Sequence, residues 1–248
     1  MRKTIRIINL LILSFIFGSC KDTHIENSVQ NKPNDTEQTI SKPAIALTFD
    51  DGPNMTISIK ILDALEERGL VATYFVIGQN IDEQTEEVMR RAYELGCEYA
   101  PHSWDWNLSS TKNKDENMET ITKTNDKIIE ILGEEARSAF HRSHGEPGDE
   151  AIEAAKELGY PIISGLLTND WNPATTPQNI FESIVSNVED GSIIALHDGY
   201  FSTATAEAIG DILDALIETG YQFLTLSELF ERRGTAIEPG KIYYSGSR

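Results

Sequence analysis

Acidic and histidine side chains recur where short apolar segments of this 248-residue chain end. The pair Asp50-Asp51 follows one such segment, and His102, Asp170 and His197 each follow another. One aspartate in such a place is an ordinary surface residue, but this is a series, and the whole chain holds only five histidines. Carboxylates and imidazoles gathered in this way predict metal-assisted acid–base chemistry.

The aspartate pair is the most demanding of these features. Two adjacent carboxylates do not both stay ionised at low cost unless a cation or an arginine compensates one of them. Taken alone, Asp50-Asp51 before Gly52-Pro53 is more typical of a solvated tight turn. Whether the pair belongs to a catalytic site therefore has to be judged from the residues around it.

The segments that must position these side chains alternate between apolar strands and amphipathic helices, and glycines repeatedly mark the helix ends. This alternation indicates a parallel α/β fold, either an open sheet or a barrel, and we predict a parallel, incomplete (β/α) barrel of about seven strands. Chemistry in such folds collects at the carboxyl ends of the strands. The candidate strands are 44–49, 71–77, 98–102, 137–141, 161–167, 192–196 and 222–226, and the candidate helices are 57–68, 82–95, 115–132, 149–158, 177–189 and 203–219.

Composition excludes several classes of function. Lys and Arg number 21 against 40 Asp and Glu, and a formal charge of −19 argues against a nucleic acid as partner. The chain has no glycine-rich phosphate fingerprint and no G-x-S-x-G elbow, which disfavours nucleotide binding and serine hydrolysis. With 40% hydrophobic residues it can build one sizeable core, and we expect a monomer.

The N-terminus has the pattern of a secretory signal. Residues 1–19 contain a basic start, an apolar run and small residues, and Cys20 follows directly. This ending resembles the bacterial lipobox, which implies a signal peptide over 1–19 and a lipid on Cys20; plain secretion with a spare thiol is the alternative. Residues 20–42 are polar and predict a flexible tether. We therefore expect a bacterial cell-envelope protein that is anchored to a membrane by lipid.

Residues 48–53, Thr-Phe-Asp-Asp-Gly-Pro, resemble the first motif of the polysaccharide deacetylases, carbohydrate esterase family 4 with its NodB-type domain. The resemblance continues in the family's order over residues 43–232. It implies removal of acetyl groups from a glycan with the help of a divalent metal, for which we expect zinc. It also implies that Asp50 is the general base and that Asp51 binds the metal.

The second motif departs from the family. His-Ser/Thr-x-x-His supplies two metal ligands there; here His102 matches, but Trp106 stands at the second histidine, and indole has no free lone pair for a metal. Asp105, Asn107 or His144 could substitute. We predict Asn107, because its loop already carries His102. The alternative is that Trp106 packs and that the site has lost its metal.

The third motif is an arginine followed by prolines and a glycine, and the resemblance implies that this arginine orients the catalytic aspartate. Residues 140–145 keep the phenylalanine, an arginine and the glycine. Alignment without a gap places His141 at the arginine, so Arg142 takes this role only after a shift of one residue. An ordinary strand-end arginine is the alternative interpretation.

The fourth and fifth motifs are present as Asp170-Trp171 and Leu196-His197. The resemblance implies that His197 is the general acid and that Asp170 holds and polarises its imidazole. Trp171 and Leu196 would then line the pocket for the acetyl methyl group.

The sequence thus predicts one deacetylase domain over 43–232 that hydrolyses N-acetyl or O-acetyl groups of a polysaccharide or oligosaccharide. The alternative is a catalytically inactive carbohydrate-binding lipoprotein on the same fold, which the departure at Trp106 favours. Residues 233–248 follow the last predicted strand as a C-terminal tail without an assigned role.

Overall fold

The computed structural model describes residues 42–246. The predicted signal peptide, Cys20 and the tether up to residue 41 lie outside the described residues. The strands are β1 Ala44–Asp50, β2 Thr73–Ile77, β3 Glu98–Ser103, β4 Ile162–Ile163, β5 Leu166–Leu167, β6 Ile193–His197, β7 Gln222–Phe223 and β8 Ile242–Tyr243. The helices are α1 Ile57–Arg68, α2 Thr85–Leu95, α3 Lys114–Leu132, α4 Asp149–Glu157, α5 Pro177–Asn187, α6 Thr203–Glu218 and α7 Leu226–Arg233.

The main sheet is parallel, with the strand order β3-β2-β1-β6-β5 and with β7 also paired to β1. A second parallel pair, β4-β8, meets the preceding segment through a bridge between His141 and Ile162. The predicted parallel, incomplete α/β barrel is thereby confirmed. Because the strands run parallel, the carboxyl ends of β1, β3, β5 and β6 lie at one edge of the sheet.

Side chains alternate between two buried layers along each strand, because successive residues of a strand point to opposite faces. In β1, Ile45, Leu47 and Phe49 pack into the layer that α1 and α6 cover, whereas Ala44 and Ala46 pack into a second layer. The second layer is covered by α7 and β8. Its residues are Ala44, Ala46, Phe75, Ala100, Phe140, Ile163, Ile193, Leu226, Leu229, Phe230 and Tyr243.

The predicted strand over 137–141 is wrong. Only His141 makes a bridge there, and the chain before it forms a short 3-10 turn at Glu134–Ala136. The Ser138 hydroxyl accepts a hydrogen bond from the Phe140 amide and also donates one to the Phe140 carbonyl. These local bonds satisfy backbone groups that a strand would have paired with a neighbour.

Two further segments differ from the prediction at their ends. Residues 161–167 split into β4 and β5 around Gly165, whose φ of 157° places the backbone where side chains are disfavoured. The strand expected over 222–226 stops after β7, because Thr225 caps α7 in a reciprocal pair with Glu228. No helix within residues 42–246 has both the length and the apolar character that crossing a bilayer requires.

Candidate active site

Asp50 and His197 form the centre of the site. They are the last residues of the neighbouring strands β1 and β6, and they are register partners in that parallel pair. The Asp50 side chain is buried, and both residues line a cleft of about 610 Å³. The sheet itself therefore fixes a carboxylate and an imidazole at neighbouring positions of its carboxyl edge.

Arg142 is bound to Asp50. Its Nη1 lies 2.7 Å from Asp50 Oδ1 and also donates to the Thr48 hydroxyl at 2.8 Å. Nε and Nη2 donate to the carbonyl oxygens of Ile163 and Ser164, and the guanidinium lies 4.3 Å from the centre of the Phe75 ring. An arginine held at every nitrogen fixes the orientation of the carboxylate that it binds.

The neighbouring His141 points elsewhere. Its Nδ1 donates to the Pro101 carbonyl at 3.0 Å and its side chain is buried. Arg142, and not His141, therefore contacts Asp50. Alignment without a gap puts His141 at the position of the family's arginine, so the structure contains the shift of one residue that places Arg142 there.

His197 and Asp170 form a buried ion pair, with His197 Nδ1 at 2.8 Å from Asp170 Oδ1. The other oxygen, Asp170 Oδ2, accepts hydrogen bonds from the His197 amide and from the Thr205 hydroxyl. Burial acts against the charged imidazole, but the hydrogen bond and charge of Asp170, with the charges of Asp50 and Asp51, raise the pKa of His197 to about 9. The imidazole is therefore protonated at neutral pH.

Asp51 is held in a conformation that non-glycine residues rarely adopt, with φ at 76°. Its amide donates to the Phe75 carbonyl, and its own carbonyl accepts from Asn80. Burial, reinforced by the charges of Asp50 and Asp170 and opposed by that of His197, raises the pKa of Asp51 to about 7. Among the described atoms, its buried Oδ1 has no hydrogen-bond partner. A carboxylate in this state fits a bound cation.

Two imidazoles face Asp51. His102 Nε2 lies 3.5 Å and His144 Nε2 lies 3.9 Å from Asp51 Oδ1. Each Nδ1 bonds a backbone carbonyl, that of Arg142 for His102 and that of Asn107 for His144. A carbonyl only accepts, so each Nδ1 carries the hydrogen and each neutral ring keeps its Nε2 lone pair free.

These three side chains fit a divalent metal ion. Burial lowers the pKa of both His102 and His144, so both rings are neutral at pH 7. One potential ligand atom from each of Asp51, His102 and His144 lies within 4.8 Å of the others. One carboxylate and two imidazoles form a donor set typical of catalytic zinc sites.

Asn107, the third ligand predicted from the sequence, makes no side-chain hydrogen bond to Asp51, His102 or His144 within the described residues. Its side chain is exposed, and its backbone carbonyl is directed to His144 and to Lys112. Asp105 accepts from the Asn107 amide and pairs with Lys112 at 2.8 Å, and both residues line a pocket other than the cleft that contains Asp51. His144, an alternative that the sequence left open, lies beside Asp51 instead.

Trp106 lies at the edge of the same cluster. Its ring packs edge-on against His144 at 5.9 Å and against Tyr200 and Phe201 at 5.9 and 6.3 Å. The ring is 37% exposed and lines the cleft. Trp106 therefore supports His144 from the side and does not fill the space between the ligand atoms.

The two predicted pocket residues differ in position. Trp171 lines the cleft and packs edge-on against His197, with 5.4 Å between ring centres. Leu196 is fully buried in the layer under the helices, because it precedes His197 in β6 and so faces the opposite side of the sheet. The cleft is lined at this strand by Ala195 and His197 instead.

Two residues outside the predicted set support the site. Thr205 holds Asp170 from the first turn of α6. Asp198 is buried, its amide donates to the Asp50 carbonyl, and its carboxylate accepts from Ser58. Asp198 directly follows His197, and that adjacency was the only signal for it in the sequence.

The sequence profile of the family described as polysaccharide deacetylase matches residues 37–163. A bifunctional xylanase/deacetylase of Pseudobutyrivibrio xylanivorans is 34% identical over 201 residues, which cover 81% of this chain and 33% of that protein. A peptidoglycan-N-acetylglucosamine deacetylase of Listeria monocytogenes is 28% identical over 235 residues, covering 94% of this chain and 47% of that protein. The chain thus spans between a third and a half of the length of these two relatives.

Among solved structures, a family 4 acetyl xylan esterase of Clostridium thermocellum, determined with a cobalt ion, matches with a TM-score of 0.76 and 32% identity. That match covers 82% of this chain and 98% of the esterase chain.

Proposed function

The chain belongs to the polysaccharide deacetylase family, carbohydrate esterase family 4, and from that premise we propose that it is a metal-dependent hydrolase that removes acetyl groups from a glycan. One observation carries the proposal. A carboxylate bound to an arginine, an imidazole bound to a carboxylate, and a donor set for a divalent cation lie at one cleft. Amide and ester substrates both fit this arrangement.

Asp51, His102 and His144 are the residues that hold the metal in this proposal, and zinc suits one carboxylate with two imidazoles. When bound, such a cation supplies Lewis-acid polarisation of the acetyl carbonyl and lowers the pKa of water. To take up the ion, Asp51 has to lose its proton, whereas the two imidazoles are already neutral and need no change of protonation.

Asp50 and His197 move the protons. Asp50 accepts a proton from the attacking water while Arg142 fixes the direction of its carboxylate. His197 donates a proton to the departing nitrogen or oxygen, and Asp170 stabilises its charged form. The acyl bond breaks, acetate is released, and the glycan keeps a free amine or hydroxyl.

Substitution of the aspartate pair tests this division of roles. Asp50→Asn should keep the metal and lose about 10²–10⁴-fold of acetate release, since it removes the proton acceptor. Asp51→Asn should lose bound metal as well. The matched measurements are metal content after gel filtration and acetate released from an acetylated oligosaccharide. Retention of full activity by both variants contradicts the proposal.

A carbohydrate-binding lipoprotein without activity was the sequence-based alternative, since Trp106 replaces a ligand. The position of His144 beside Asp51 supports the enzyme, because three donors remain. Metal analysis of the purified protein separates the two: about one equivalent supports the enzyme, whereas no metal and no response of acetate release to added zinc supports the binding protein.

Localisation is a further part of the proposal. Residues 1–19 act as a signal peptide, and Cys20 carries the lipid that anchors the 43–232 domain at a bacterial cell envelope, with residues 20–42 as a tether. Cys20→Ala should release the protein from the membrane fraction or block its processing. A processed Cys20→Ala protein that stays in the membrane fraction contradicts the lipid anchor.

A further inference from the structure

The two residues that follow His197 pack against the turn of residues 51–54. Asp198 and Gly199 are both buried. The Asp198 amide donates to the Asp50 carbonyl at 2.8 Å, one residue beyond the last register pair of β1 and β6. The sheet therefore fixes the place of Asp198 next to the point where β1 ends and the turn begins.

The carboxylate of Asp198 lies directly against Gly52. A Cβ atom added to Gly52 would come within 2.2 Å of Asp198 Oδ2, so no side chain fits between them. The same oxygen accepts a hydrogen bond of 2.5 Å from the hydroxyl of Ser58, in the first turn of α1. On the side of β2, the Gly52 carbonyl accepts from the Ile77 amide at 2.9 Å. The backbone of the turn is thus held between β2 and the Asp198 carboxylate.

Asn54 connects the other end of the turn to the same two residues. Its Nδ2 donates to the Asp198 carbonyl, and its amide donates to the Ser58 hydroxyl at 2.9 Å. Asn54, Ser58 and Asp198 therefore form one hydrogen-bonded group, which we call the Asp198 group. This group joins the segment after β6, the start of α1 and the turn that carries Asp51.

Gly199 contacts Asp51 itself. A Cβ atom added to Gly199 would lie 2.9 Å from the Cβ of Asp51, which is closer than two packed carbons approach. The φ of Asp51 is 76°, and a non-glycine residue keeps such a conformation only where its surroundings fix it. The backbone of Gly199 supplies part of those surroundings.

The candidate metal ligands differ in how their side chains are directed. His102 and His144 each bind a backbone carbonyl through Nδ1, which fixes the direction of the ring. Within the described residues no hydrogen bond holds Oδ1 of Asp51. The direction of the Asp51 carboxylate therefore depends on its backbone and on packing, and both are set in part by Asp198 and Gly199.

We propose that Asp198 is a positioning residue for the metal site, because its carboxylate, held by Ser58, supports the turn that directs Asp51 toward the two facing imidazoles. The inference rests on the proposed deacetylase function, in which Asp51 is a metal ligand. Asp198 needs only an acceptor oxygen for this role, and it takes no part in the proton transfers. Its effect is to hold a ligand in place before the ion binds, which lowers the cost of ordering the site.

Titration of metal-free protein with zinc tests the role of the acceptor oxygen. Asp198→Ala should lower zinc affinity by about 10- to 100-fold, the range typical of residues that orient a ligand. Asp198→Asn keeps an oxygen for the Ser58 hydroxyl and should lose less than about threefold. Ser58→Ala should lower the affinity as well, and the double variant of Asp198→Ala with Ser58→Ala should lose less than the sum of the two effects, since both act through one bond.

Gly199→Ala tests the contact with Asp51 independently of the Asp198 group. The added methyl group displaces Asp51 while every hydrogen bond of the Asp198 group stays available, and zinc affinity should fall by about tenfold. Tyr74→Phe is the control, because it removes a buried hydroxyl that has no partner among the described atoms and that lines the same small internal space as Asp198. It should leave zinc affinity unchanged within about twofold. Circular dichroism confirms that each variant is folded at the temperature of the titration.

The outcomes separate this inference from the proposed function. Parent-like zinc affinity in Asp198→Ala and Gly199→Ala overturns the inference, while a loss of metal in Asp51→Asn still supports the metal site. Equal losses in Asp198→Ala and Asp198→Asn also overturn it, because the charge and not the hydrogen bond would then set the affinity. If Asp198→Ala does not fold, Ser58→Ala and Gly199→Ala decide by the same measurement. The expected order of zinc affinities in a protein that releases no acetate leaves the inference standing and contradicts the proposed enzyme.

Discussion

The residues proposed to transfer protons and the candidate metal ligands are held by different parts of the fold. Asp50 and His197 end two paired strands and are register partners, so the hydrogen bonds of the sheet set their separation. Asp51 and His144 lie in loops, and among the three candidate ligands only His102 belongs to a strand. We call Asp50 and His197, with the residues that bind them, the strand-held half of the site, and the candidate metal ligands the loop-held half.

The difference shows where substitution is tolerated. A residue at a strand end has its position fixed by the register, so no other segment can supply the same group without a change of the sheet. A loop has no register, and any loop that reaches the same point can supply a donor. His144 lies beside Asp51 from a loop after the His141 bridge, whereas the loop after β3 presents Trp106.

Arg142→Ala should have the largest effect, because it acts on the strand-held half. Removal of one partner leaves the buried Asp50 carboxylate uncompensated, which costs about 3–5 kcal/mol of folding free energy. Acetate release should fall by about 10²–10³-fold. Denaturant unfolding and acetate release measure the two effects.

Arg142→Lys is the matched variant, since it keeps the charge but loses the planar set of bonds to the Ile163 and Ser164 carbonyls. It should fold and yet retain reduced activity. If the lysine variant is as active as the parent, orientation of Asp50 by Arg142 is not required.

His144→Ala should have the next largest effect, since it removes a donor from the loop-held half. Metal affinity should fall by about 100-fold or more, measured by titration of metal-free protein with zinc. Asn107→Ala should change it by less than about threefold, because the contact to His144 uses the backbone carbonyl. A larger loss for Asn107→Ala than for His144→Ala would restore the ligand assignment made from the sequence.

The strand-held half could be predicted from the sequence in its main features. Apolar runs locate β1, β3 and β6, and parallel strands bring Asp50, His102 and His197 to one edge. Arg142 binds Asp50 in the structure, an arrangement that the sequence allowed only with a shift of one residue, since sequence spacing cannot show that His141 turns toward Pro101.

Other features depend on three-dimensional neighbours that the sequence does not reveal. Leu196 was assigned to the pocket from its motif, although strand alternation already places it on the face opposite His197. The contact of His144 with Asp51 depends on how two loops pack. Tyr244 reaches the cleft because β8 pairs with β4, and a two-residue strand has no periodic signal.

Asp170→Asn should change how the folding free energy and the rate of acetate release depend on pH, because Asp170 is the ion-pair partner of His197. The raised pKa of His197 means that this pair stabilises the fold fully below pH 6.5, and that the contribution is lost as the pH rises through about 9. With a neutral partner, burial dominates and the pKa should fall below about 7. NMR titration of His197 in metal-free protein measures the change.

The same substitution should move the basic limb of the rate profile to lower pH, because His197 must be protonated to donate. Thr205→Val, which removes a hydrogen bond to Asp170 but leaves the carboxylate charged, should not lower the pKa of His197. An unchanged pKa in Asp170→Asn would show that the ion pair does not control the charge of His197.

Trp106→His should have the smallest effect alone and tests whether loop-held ligands are interchangeable. With His144 in place the metal already has its three donors, so zinc affinity should change by less than about threefold. In a His144→Ala background, however, Trp106→His should regain at least about tenfold of the lost affinity, because the Trp106 ring already contacts His144 from the side. Trp106→Phe in that background keeps an aromatic ring without a donor and should regain nothing. Equal zinc affinities of the two double variants, His144→Ala with Trp106→His and His144→Ala with Trp106→Phe, would mean that a histidine at position 106 does not reach the metal. The backbone of the loop after β3, and not only its side chain at position 106, would then prevent a donor from facing Asp51.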